Sequence, residues 1–143
     1  MAQFLRNLTL AALLVFAAAC GTTPEATSPS ARADADVTGT VLVSGTFSGQ
    51  NDHVVTGGVE LIQDGDATYL RLGPDFSLDG APDPRIGFGR SGAYDETTTF
   101  TALANTTGAQ TYLLPAGFEL GTLDEATIWC EDFSVPLGTA RLR

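Results

Sequence analysis

The side chains of this 143-residue chain best suited to redox or ligand chemistry are its two cysteines and its single histidine. Cys130 stands in TIWCEDFSVPLG beside Glu131 and Asp132, Cys20 ends the apolar run LVFAAAC, and His53 follows the polar turn SGQND. A reactive thiolate is stabilised by a nearby cation or a helix amino terminus. Cys130 has acids beside it instead, which disfavour the charged thiolate and make it a poor free nucleophile. Ligation is a different matter, because coordination deprotonates a thiol outright. Cys130 and His53 are therefore the candidate redox or ligand residues. A haem would take one or both as axial ligands, since the sole methionine is Met1. A blue-copper site needs two histidines within the chain, and no CxxCH haem-attachment motif occurs. The plainer readings are a small inert core cysteine, or one that forms an intermolecular disulfide, and a hydrogen-bonding loop histidine.

The compartment decides what a thiol can do. Residues 1–19 read as a signal peptide: Arg6 near the amino terminus, an apolar run from Leu8 to Ala19, and the small residues Ala17, Ala18 and Ala19 before Cys20. The run is shorter than the ~20 residues that a membrane-spanning helix needs. The ending AAAC resembles the lipobox of bacterial lipoproteins, with Ala17 where Leu is more usual. That resemblance implies cleavage before Cys20, a diacylglyceryl group on its sulfur and a fatty acyl chain such as palmitate on its amine, hence a firm membrane anchor. Gly21 after the cysteine points to the outer membrane where the cell has one, and otherwise to the cell membrane. The alternative is an ordinary secretory signal. Residues 20–36, rich in Thr, Ser, Ala and Pro, read as a lipidated disordered tether spanning about 20 Å. Residues 37–143 suffice for one small domain.

The formal net charge is -10 and the chain has no lysine. Nucleic-acid binding depends on basic residues that neutralise phosphates, so that class of partner is excluded. The domain's pattern is β throughout. Val41 and Val43 open a strand running to Phe47; Val55, Val59 and Leu61 alternate in a second, broken by Gly57 and Gly58. Asp64, Gly65 and Asp66 supply a type I′ hairpin turn before Thr68, Leu70 and Leu72. Ile86 and Phe88, Thr97 to Leu103 and Thr111 to Leu114 add further strands. No window has helical spacing. About seven to nine short strands so punctuated predict an all-β fold, a small antiparallel sandwich or partly closed barrel.

In the last hairpin, Ala126, Ile128 and Cys130 share one strand face and Thr127, Trp129 and Glu131 the other. The first set is more apolar, so Cys130 points inward. Val135 and Leu137 keep one parity, whereas Ala140 and Leu142 keep the opposite one, which predicts a bulge at Gly138. Asp75, Asp79 and Asp83 lack EF-hand spacing, so no metal site is expected. Asn105 to Thr107 match a glycosylation sequon that means little in a bacterial lipoprotein. GFGRSG is not a nucleophile elbow, and no other catalytic motif points to an enzyme.

The segments GTFSGQNDHVVTGGVEL, LRLGPDFSLDGAPDPRIGFG and YLLPAGFELGTLDEATIWCEDFSVPLGTARL resemble the DM thirteen domain. This is a small β module also found in extracellular proteins of animals and plants. The most specific pieces are His53 with Gly57, the GAPDPRIGF element around Asp83, Tyr112 to Pro115, and the terminal WC before FSVPLG; GAPDP departs from the family's plainer GPD. The resemblance implies an electron-transfer module in which Cys130 acts as a free thiol or holds a prosthetic group such as haem, with an envelope redox protein as partner. The rival expectation is a binding or structural module of the envelope in which Cys130 only packs.

Overall fold

The computed structural model describes residues 31–32 and 37–143; the expected signal peptide, Cys20 and the rest of the expected tether lie outside the described residues. Among the described residues twelve strands follow one another: β1 (Ala31–Arg32), β2 (Thr40–Gly49), β3 (Val55–Thr56), β4 (Gly58–Asp64), β5 (Ala67–Leu72), β6 (Ser77–Leu78), β7 (Pro84–Arg90), β8 (Ala93–Asp95), β9 (Thr101–Ala102), β10 (Gln110–Leu113), β11 (Glu125–Cys130) and β12 (Val135–Arg141). Four of them are only two residues long, which leaves eight of substance. The only helix among the described residues is a 3-10 turn at Glu96–Thr98.

Ten strands form one antiparallel sheet in the order β1-β10-β5-β4-β2-β12-β11-β7-β8, with β9 also on β7. β2 is the hinge of this sheet. Its Thr40–Thr46 stretch pairs with β4 and its Phe47–Gly49 stretch with β12, so the two halves curl around a shared interior. Val59, Leu61, Leu70 and Leu72 from one half meet Ile86, Phe88, Ile128 and Leu137 from the other in a single cluster, all at most 1 % exposed. β3 and β6 pair separately and close one end with Val55 and Leu78. The expected all-β sandwich or partly closed barrel is thus the fold.

Local differences have local causes. β3 and β4 are distinct strands, because Gly57 has φ +102° and a Cβ there would lie 2.4 Å from the Phe76 Cα. The Asp64–Ala67 hairpin has positive φ at Gly65 only, the pattern of a type II′ turn rather than the type I′ expected. The type I′ pattern falls instead at Ser91–Gly92, with φ of 53° and 86°, and creates β8, which the sequence reading lacked. Thr97 to Leu103 is not one strand. The Asp95 carboxylate accepts from the Thr97 N–H, and the Thr98 hydroxyl accepts the Phe88 N–H, so side chains take the place of ladder bonds until β9. β1 lies within the expected tether. There Ala31 and Arg32 pair with Tyr112 and Thr111, an edge pairing that needs only backbone groups.

Candidate functional site

Strand β11 carries the site. It lies between β12 and β7 and is buried along its whole length. Ala126, Ile128 and Cys130 point into the core, as their parity predicts, and Cys130 is 1 % exposed. The parity switch of β12 is also present. Ile128 pairs with Gly138 and Trp129 with Pro136, leaving Leu137 as the extra residue of a bulge beside Gly138. Gly138 is required there, since its Cβ would come within 2.7 Å of the Val55 Cβ.

The Cys130 thiol is a free S–H that donates to the Pro82 carbonyl at 3.1 Å. Pro82 belongs to the loop Asp79–Asp83 between β6 and β7. The far end of the same loop holds His53: Nδ1 donates to Asp79 Oδ1 at 2.9 Å, a role fixed by the carboxylate, which only accepts. Asp79 Oδ2 also accepts the Val54 N–H at 3.0 Å. These bonds, the Val54 amide first and His53 second, hold the Asp79 carboxyl below the usual carboxylate range. The His53 turn is itself tied to the bulge of β12, where Gln50 N donates to Leu137 O at 2.8 Å and Asn51 Nδ2 to Pro136 O at 2.7 Å. Left-handed φ at Asn51 and Asp52, of 51° and 64°, is tolerated by these residue types. The two candidate residues are therefore anchored at opposite ends of one loop.

Arg85 on β7 supplies a cation that adjacency in sequence did not reveal. Its Nη2 donates to Asp83 Oδ2 at 2.9 Å, while Nε lies 2.9 Å from Oδ1 without hydrogen-bond alignment. The hydrogen bond to Asp83 first, then the charges of Asp83, Glu131 and Asp132, raise the Arg85 pKa. On the outer face Trp129 stacks on Tyr94 with ring centroids 4.3 Å apart and planes 16° apart. Tyr94 lies over Gly87, where a Cβ would meet its hydroxyl at 2.5 Å. That glycine inside a strand pattern was the one sequence signal for the close approach. The Tyr94 hydroxyl bonds the Thr99 hydroxyl, and burial raises its pKa.

A haem does not fit this arrangement. The Cys130 sulfur is enclosed and bonded to Pro82, and four clefts formed by described residues are lined by neither Cys130 nor His53. The three loop aspartates are separately engaged: Asp75 accepts from the Gly58 N–H, Asp79 pairs with His53 and Asp83 with Arg85. No group of three or more His, Cys, Asp or Glu among the described residues is arranged to hold a metal ion.

The chain matches the family described as Electron transfer DM13 over residues 46–142, which spans the end of β2 and all of β3 to β12. It belongs to that family. No curated protein and no solved structure matches it.

Proposed function

We propose that the protein is a lipid-anchored, extracytoplasmic electron-transfer module, not an enzyme, in which Cys130 is the redox-relevant side chain and an envelope redox protein is the partner. The family match carries this reading, because residues 46–142 include Cys130 and the loop that holds it. The sulfur is reached through the protein rather than from solvent. Trp129, the next residue, stacks on Tyr94, which is partly exposed at the outer face. Anchoring rests on Cys20 and the AAAC ending, and an acidic surface suits a soluble domain held near an anionic membrane. A second reading, a non-catalytic envelope module in which the cysteine only packs, is favoured by one observation: the thiol is enclosed and its proton already has an acceptor.

The experiment is voltammetry of the full chain and of Cys130→Ser, with membrane fractionation of Cys20→Ser. The first reading expects an electrode response that Cys130→Ser abolishes and a Cys20→Ser chain that leaves the membrane fraction. A response unchanged in Cys130→Ser selects the packing reading, and a Cys20→Ser chain that still sediments with membranes removes the lipid anchor.

A further inference from the structure

On the β7–β9 side of the molecule a cleft of about 430 Å³ opens between the Glu96–Thr98 turn and the loop after β10. Its apolar walls are Phe100, Phe118, Pro115 and Leu123. Both rings are held from behind by Phe88, which is 0 % exposed and lies 6.0 Å from Phe100 and 4.8 Å from Phe118 between centroids. The loop is fixed by two turns, Phe118 N to Pro115 O at 3.0 Å and Leu123 N to Leu120 O at 2.8 Å. The walls are thus preformed, and the volume falls in the range of small-molecule sites.

The polar rim is one-sided. Thr97 donates its hydroxyl proton to Asp95 at 2.5 Å; Thr98 shares its single proton between the carbonyls of Phe88 and Asp95, at 2.8 and 2.6 Å, while accepting the Phe88 N–H at 2.7 Å; and the Thr99 hydroxyl is paired with that of Tyr94. Thr97 therefore has only lone pairs left to offer a ligand, and the other two hydroxyls are engaged with the protein. The remaining rim side chain is the exposed Glu119 carboxylate, and among the described residues no cation lines the cleft. A planar apolar ring suits walls of this kind, and substituents beside the Glu119 carboxylate gain by donating hydrogen bonds rather than accepting them. From this geometry we infer that the cleft binds a single-ring phenol of the hydroquinone class, its ring against Phe100 and Phe118 and its hydroxyls donating to Glu119 and the Thr97 oxygen. The inference concerns binding alone and stands whether or not Cys130 is redox-active.

The test titrates trimethylhydroquinone under nitrogen into the full chain and follows backbone amide shifts by NMR. Saturable shifts confined to residues 97–100 and 115–123 are expected. 1,4-Dimethoxybenzene, with the same ring type and no donor, should bind about tenfold more weakly, the worth of a lost hydrogen bond to a charged group. Leu123→Asp, which places a charge against the ring, should weaken binding by a similar factor; should that variant not fold, the shift map and the ether comparison on the unaltered chain still decide. Shifts centred elsewhere, for instance on the Gly45, Gly58 and Gly73 cleft, equal binding of the ether, or no saturation would overturn the inference.

Discussion

Two ends of the sheet's second half treat their side chains in opposite ways. Around Cys130 the chain closes on itself: Pro82 takes the thiol proton, Asp79 ties down His53, and Gly138 admits Val55 against the strand. Around Phe100 and Phe118 the apolar side chains are left partly open, propped by Phe88 and rimmed by oxygen atoms. The first region holds the sulfur and the imidazole, yet encloses the one and ties down the other. The second is accessible and holds neither. Residue type and access thus point to different places, and a role for Cys130 in electron transfer has to work through the surrounding protein, with Trp129 and Tyr94 the aromatic groups nearest in sequence and stacking.

The contrast is broken most severely at Gly138. Gly138→Val puts branched carbon where Val55 and the Ser48 carbonyl already sit, at 2.7 and 3.1 Å from the Cβ position. The cost should be about 3 kcal/mol, read as a lower urea midpoint together with faster labelling of Cys130. An unchanged midpoint would mean that the closed end is looser than its packing implies. A smaller effect is expected from Cys130→Ala, about 1 kcal/mol from the small cavity and the Pro82 carbonyl left without its donor. In the native chain the thiol should react slowly with disulfide reagents at neutral pH; rapid reaction would place the sulfur at the surface and remove the contrast altogether.

The smallest effect is electrostatic. The Asp79 carboxyl is held below its ordinary value of 3.8, so its contribution is present above the unfolded pKa and is lost as pH falls through the folded one. An NMR titration should find its midpoint below 3.8. In His53→Ala the midpoint should rise without reaching the ordinary value, because the Val54 N–H is the larger cause and remains. Full restoration would make His53, not the backbone, the principal tie of the loop.

Period-2 patterning made much of this legible. The inward face of Ala126, Ile128 and Cys130 and the register switch of β12 both follow from parity, since a pleated strand leaves only two faces to choose between. The loop partners were not legible. Asp79 lies 26 residues from His53 and Pro82 lies 48 from Cys130, and nothing local in either segment encodes a pairing made by tertiary approach. Thr97 to Leu103 misled for a different reason: threonines favour strands on average, but here Thr98 spends its hydroxyl on the neighbouring backbone. The glycosylation-like triplet at Asn105 belongs to a loop whose backbone is bonded by the Gln110 side chain, with the Asn105 N–H donating to its Oε1 at 2.9 Å and its Nε2 donating to the Asn105 carbonyl at 2.8 Å.

The position of β12 governs when the domain can form. The last strand of the described chain lies not at an edge but between β2 and β11, near the middle of the sheet. Its pairing of Gly138 with Gly49 and Ala140 with Phe47 joins segments about ninety residues apart, so the seam that unites the halves is among the most non-local contacts in the molecule. A chain emerging from its amino end can build the β4–β5 hairpin early, since only Gly65 and Asp66 separate the two strands. It cannot close the core until β12 is free to insert between β2 and β11. Folding of the domain is therefore deferred until β12 has been made, and the nascent domain stays open until then.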